Sequence, residues 1–273
     1  MTFLTLFAAE SIQIHLPTSP VFYIGPIEIT NSMVLGGFGI VVMLAVFGYT
    51  VHMVKLGKHN HLTGVVQWLF ESMYKTVGDI IPDKKMAQSI APLALTIFFT
   101  VLFTYWVSIL PGVGESITWH GASLLRGLPT DLNFTLGIAT VSMVAAQFYA
   151  VKTHGFFGNM GRYFISPFKN PIGTFEGFLE FIGEFSRLIA LCLRLFGNAF
   201  AGEVLLTIAG VMTGYFAALS LPAFMAFELF IGFIQAYVFF VLTLIFAALA
   251  TASHSDSAQS PAHSADVTSK EAA

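Results

Sequence analysis

The sequence predicts an all-α polytopic membrane protein, with five crossings, one amphipathic surface helix, and a last pair of helices forming a long tilted hairpin. Three observations carry this. Of 273 residues, 56% are hydrophobic and only 10% charged, where soluble domains carry roughly 25%. Twenty-nine phenylalanines leave too little polar surface for water. Long runs free of Asp, Glu, Lys and Arg recur along the chain, each close to the ~20 residues that span a bilayer. The net charge of −3 is uninformative here, because placement of charge decides topology. Cys192 is the only cysteine, which excludes an intrachain disulfide and a cysteine metal cluster.

Met1–Ala9 has no basic residue ahead of its apolar stretch, so no cleaved signal peptide is expected. Residues 10–30 are mixed and punctuated by Pro17, Pro20 and Pro26, and read as an extended lead-in. Met33–Val54 is free of charge; at ~1.5 Å per residue it reaches ~33 Å, enough for ~30 Å of hydrocarbon. Lys55 and Lys58 mark its exit. Leu62–Ile80 then has apolar residues at helical spacing and a polar face carrying Glu71 and Lys75, four apart. It is too polar to span, and reads either as a helix on the membrane surface or as one packed on its own protein. Ser89–Leu110 is the second crossing, ended by Pro111-Gly112. The loop 111–131 follows; its Gly112-Val113-Gly114 lacks the lysine of a phosphate loop. Leu132–Val151 is the third crossing.

From Thr174 to Leu221 the chain stays apolar but holds Glu176, Glu180, Glu184, Arg187, Arg194, Asn198 and Glu203. As one helix this stretch is ~72 Å long. It must tilt, run partly along the interface, or break at a glycine such as Gly210 or Gly214. Leu221-Pro222 is expected to turn the chain, and Pro222–Ala250, with Glu228 and Gln235 inside it, is the last crossing. Residues 1–251 thus form a single membrane domain, and 252–273 an Ala/Ser/His-rich disordered tail. With the N-terminus outside, five crossings put Lys55, Lys58, Lys75, Lys84, Lys85, Lys152, Arg162, Lys169 and Lys270 on one side, and only Arg126 on the other. That asymmetry obeys the positive-inside rule and makes the C-terminus cytoplasmic.

The chemistry concentrates in Leu188–Glu203. An ionisable group at bilayer depth costs at least ~2.5 kcal/mol, and Arg194 lies too far inside its segment to snorkel easily. On an ideal helix Glu180, Glu184, Arg187, Arg194 and Asn198 fall within ~80° of one another, while Glu203 lies ~180° from Arg194 and ~13.5 Å along the axis. Acids thus flank a central arginine at different depths and on different faces, as two separate water routes require. Blander readings stand beside this one. Arg187 reads equally as an interfacial anchor, Glu176 and Glu184 as solvated helix-start residues, and Gln235 as a helix–helix hydrogen bonder. The eight histidines form no HExxH or similar pair, so no metal site or cofactor is expected, and no nucleophile–base arrangement is visible.

Leu193-Arg194-Leu195-Phe196-Gly197-Asn198-Ala199-Phe200-Ala201-Gly202-Glu203 resembles the signature of subunit a of F-type ATP synthases. Asp131-Leu132-Asn133-Phe134-Thr135-Leu136 is similar to a second motif of that family, and the Glu228–Gln235 spacing to a third. The resemblance covers residues 30–251. It implies a non-catalytic stator subunit beside a rotating c-ring, held by peripheral stalk (b) subunits in the lipid bilayer of an energy-coupling membrane, moving H+ or Na+ through two offset half-channels. It implies no bound nucleotide and no nucleic acid. Arg194 matches the family's essential arginine. Asn198, Glu203, Glu228 and Gln235 match polar residues near it or in the half-channels, Glu180 a channel-lining acid, and Asn133 a motif near the outer access route. Members often pair an acid with a histidine at the positions of Glu203 and Glu228; here both are acids, and a relay there would run between two carboxyls. The rivals are a self-contained secondary transporter or ion channel, expected to show inverted repeats and broken helices, and a purely structural anchor, which leaves Arg194 without a role.

Overall fold

The computed structural model describes residues 20–24, 27–58, 60–110, 114–119, 122–163 and 171–251. Within them six long helices carry the architecture: α1 (Asn31–Lys55), α2 (His61–Ile80), α3 (Lys84–Ser108), α4 (Leu132–Tyr163), α5 (Pro171–Thr213) and α6 (Ala217–Thr251). All but α2 are long and apolar enough to cross a membrane, as the charge-free runs require. The tail 252–273 and the lead-in before residue 20 lie outside the described residues.

Each of the first four helices begins where a side chain replaces a missing backbone acceptor. Thr30 Oγ1 accepts from the Met33 amide, Asn60 and Thr63 form a reciprocal capping box, and Asp83 and Asp131 accept from Lys85 and Asn133 at 3.1 and 2.9 Å. These are the residue types that stabilise helix starts by about 1 kcal/mol. Helix α4 continues past its apolar span to Tyr163, across a break at Gly155, whose φ of 75° belongs to the region glycine tolerates best.

Two details depart from the expected layout. Residues 20–30 and 111–131 are not featureless. Pro20–Ile24 pairs antiparallel with Ile27–Thr30 (β1 and β2), and Gly114–Trp119 with Ala122–Leu125 (β3 and β4). A hairpin satisfies backbone groups that an extended lead-in leaves to solvent. The α5–α6 turn also comes earlier than Leu221-Pro222. It occupies Gly214–Phe216, where Gly214 adopts φ 49°, a left-handed conformation that side chains disfavour. Pro222 instead lies in the second turn of α6, where the helix runs on with one backbone donor fewer.

The core is built on α3, which packs against α1, α2, α6 and the 3₁₀ turn Leu128–Thr130. Phe98, Val101, Leu102 and Tyr105 of α3 meet Ala236, Phe239, Phe240 and Leu244 of α6 in one buried cluster, and Phe98 stands edge-on to Phe233 and Phe240. Met73 and Val77 tie α2 to this cluster, whereas Leu62, Val65 and Trp68 remain exposed. So α2 is anchored on its own protein along one edge and keeps an apolar edge outward. Helix α5 packs against α4 and α6 and, at ~64 Å, is twice the hydrocarbon thickness. It must lean or extend beyond the bilayer.

Candidate functional site

Leu191, Cys192, Leu195, Ala199 and Gly202 are buried and define the face α5 turns toward its own bundle. Cys192 Sγ lies 3.4 Å from Thr135 Oγ1 of α4, a small filler between helices. The predicted polar stripe runs along the rim of that buried face. Arg194 and Asn198 are exposed, and Glu203 is half-buried on the far side. Among the described residues Arg194 has no ion-pair or hydrogen-bond partner within the chain, although it stands at the midpoint of the Gly177–Thr213 span. Ala190 and Ala201 beside it are exposed, and a Cβ at Gly197 would meet nothing within 4 Å. The surface around the guanidinium is therefore low and open.

Polar contacts join α5 to its neighbours at three depths. Nearest the helix start, Gln147 Nε2 of α4 donates to Glu184 Oε2 at 2.7 Å, and Arg187 lies over the Phe246 ring of α6, 5.5 Å from its centroid. Arg187 is thus engaged by its own chain through a cation–π contact. Glu180, half-buried, lies about one turn before Glu184.

At the depth of Arg194, Asn198 Nδ2 donates to Gln235 Oε1 at 2.8 Å. Measured from the α5–α6 turn at ~1.5 Å per residue, Arg194 and Gln235 are ~28 and ~27 Å deep. Gln235 is 3% exposed, and its Nε2 is a buried donor with no acceptor among the described residues. Such orphans are rare, because each forfeits about 1–3 kcal/mol.

The third contact lies ~16 Å from the turn on both helices. Glu228 of α6 is 3% exposed, and its carboxyl occupies the space where Gly202 of α5 lacks a side chain; a Cβ there would overlap Glu228 Oε1. The Tyr105 hydroxyl of α3 donates to that same oxygen at 2.5 Å. One residue along, Trp106 Nε1 donates to the Leu229 carbonyl at 3.1 Å.

Glu228 and Gln235, seven residues apart and so on one face of α6, both meet α5. Asn133 is exposed at the start of α4, where its amide caps onto Asp131; Asp131 in turn accepts from Ser32 Oγ of α1 at 2.8 Å. Tyr105 is the residue that sequence reasoning missed. The run Ser89–Leu110 carries no charge, and one phenol among its aromatic residues makes no pattern.

Fold and site together define a polytopic helical membrane protein whose last two spans hold polar groups at graded depths, a design for handling charge inside the bilayer. A family model described as "ATP synthase A chain" matches residues 33–248, and the chain belongs to that family. It is similar to ATP synthase subunit a of Marinomonas sp., 33% identical over 206 residues and covering 71% of this chain and 72% of the relative. It is also similar to that of Enterococcus hirae, at 31% over 236 residues, 82% and 93%, and to that of Buchnera aphidicola, at 30% over 233 residues, 82% of each. As a member it is a non-catalytic, ion-translocating component of the membrane sector of an ATP synthase.

Proposed function

We propose that Arg194 separates two offset half-channels that this chain forms against a rotating c-ring, with H+ the translocated ion. The observation carrying this reading is an arginine at mid-span, exposed and without a partner of its own, on a surface low enough for another helix to approach. A charge placed so deep at such cost calls for a counter-charge from outside the chain. An acidic side chain on each ring subunit fits, and Gln235, buried at the same depth, holds the exposed Asn198 beside it through their 2.8 Å bond.

The mechanism follows from electrostatics. A ring carboxyl enters lipid only when protonated, because bare charge there is prohibitive. Arg194 attracts the ionised form by ~4 kcal/mol at ~4 Å and an effective dielectric of ~20. Each carboxylate therefore releases its proton into one route, passes Arg194, and reloads from the other. The fixed cation also repels protons that would leak directly between the routes. The driving force is ~2.3 kcal/mol per charge per 100 mV, plus any pH gradient. Glu203, Glu228 and Asn133 line the route toward the α5–α6 turn, Glu180 the route toward the start of α5, and Asn198 and Gln235 the region between.

The positive-inside asymmetry supports a cytoplasmic C-terminus. The bacterial relatives support a bacterial cell membrane, residues 1–251 act as one membrane domain, and peripheral stalk subunits hold the chain against the ring. The test is Arg194→Ala in the assembled complex in inverted membrane vesicles. ATP-driven acidification is expected to be abolished; full retained pumping refutes the assignment.

A further inference from the structure

We infer that Tyr105 is a positioning residue for Glu228, holding its carboxyl in a socket between α5 and α6; this deepens the reading of Glu228 as a pathway residue and rests on it. The socket has three walls from three helices. On the α5 side Gly202 makes room, since any side chain there would overlap the carboxyl. On the α3 side the Tyr105 hydroxyl donates to Glu228 Oε1 at 2.5 Å. On the α6 side Gly232, one turn beyond Glu228, makes room for the Tyr105 ring; a Cβ at 232 would overlap Tyr105 Cδ1. Two glycines on separate helices are thus matched to one tyrosine and one glutamate, and the Trp106 bond to the Leu229 carbonyl fixes the same stretch of α6 against α3.

The physical consequence is orientational. A glutamate side chain has several rotamers, and a proton-handing carboxyl must meet its partners at hydrogen-bond distance. Tyr105 is fully buried with its ring packed, so its hydroxyl is a fixed donor that selects one carboxyl rotamer. The other oxygen is left to take part in transfer. Tyr105 acts through Glu228 and need not touch the ion itself.

The test uses the assembled ATP synthase in inverted vesicles. Tyr105→Phe keeps the ring against Gly232 and removes only the hydroxyl. Passive proton conduction through the membrane sector is expected to fall about tenfold, a factor worth about 1.4 kcal/mol. The infrared carboxyl band of Glu228, identified by its loss in Glu228→Gln, is expected to shift. A band at its wild-type position, or wild-type conduction despite a shifted band, overturns the positioning role. Should Tyr105→Phe fail to assemble, ring-labelled tyrosine gives an independent reading: the tyrosine C–O stretch changes when Glu228 becomes Gln, and an unchanged spectrum overturns the contact. If Glu228→Gln itself conducts at the wild-type rate, the pathway reading of Glu228 falls. If Glu228→Gln is impaired and Tyr105→Phe is not, only the positioning role does.

Discussion

Replacing Gly202 with alanine is the sharpest perturbation of the α5–α6 contact, because it adds one methyl group at a place the packing leaves empty. The Cβ would overlap Glu228 Oε1, so either the carboxyl swings away or the helices part. If the carboxyl moves, it gives up the 2.5 Å bond from Tyr105, and such a hydrogen bond contributes about 0.5–1.5 kcal/mol, or up to about 3 where the acceptor is ionised. If the helices part, overpacking costs about 1–3 kcal/mol. Alanine's better helix propensity returns ~1 kcal/mol, leaving a net cost of at most about 2 kcal/mol. Expressed in the transfer step, that slows conduction by up to about thirtyfold. The assay is passive proton conduction in vesicles stripped of the water-soluble part of the complex, beside ATP-driven acidification in intact ones. Gly210→Ala is the control: its Cβ would lie 3.7 Å from Leu221 Cδ2, an ordinary contact, and conduction should persist. Wild-type conduction in Gly202→Ala, with the Glu228 infrared band unmoved, would refute the reasoning.

Two further substitutions probe other parts of the same framework. Asp131→Ala removes the cap on α4 and the Ser32 bond, together about 2 kcal/mol, so the midpoint of thermal unfolding in detergent should drop; an unchanged midpoint contradicts the cap. Gln235→Leu removes both a buried donor that has no acceptor among the described residues and the acceptor of the Asn198 bond; the gain and the loss nearly offset, so stability should change by less than ~1 kcal/mol while conduction falls. Marked destabilisation would mean that this donor serves the fold.

The parts of the fold visible in the sequence were those set by local rules. Charge-free runs located α1, α3 and α4, with starts within about five residues of those observed, and the Glu71–Lys75 face marked α2 as a helix that does not span. The α5–α6 turn was harder. Proline breaks or kinks a helix past its first turn, yet α6 carries Pro222 in its second turn, and the chain reverses at Gly214, which adopts φ 49°. At the site, the Arg194–Asn198 stripe followed from helical periodicity alone, because it lies on one helix. The Glu228 socket did not, because it depends on which residues of α3 and α5 lie opposite, and pairwise packing leaves no period along the chain. Gly202 and Gly232 read as unremarkable helix glycines until Glu228 and Tyr105 are placed against them. The residue of α5 that lies against the Glu228 carboxyl is Gly202, next in sequence to Glu203, and the hydroxyl on Glu228 is that of Tyr105.

If the chain forms the two routes proposed above, the arrangement of α5 lets one helix serve both without joining them. Arg194 and Asn198 occupy one rim of its buried face and Glu203 the other. Between the rims lie Leu191, Leu195 and Ala199, all buried, with Leu195 fully so. Water passing from one rim to the other would have to displace this packing, and uncovering one buried leucine costs roughly 2 kcal/mol. Separation of the proposed routes would then have two sources: the fixed charge of Arg194, which repels a bare proton, and an apolar seam, which excludes the water wire a proton would follow. The two fail differently. Losing the charge stops coupled transport while the seam still resists water, whereas opening the seam lets protons leak past an intact arginine.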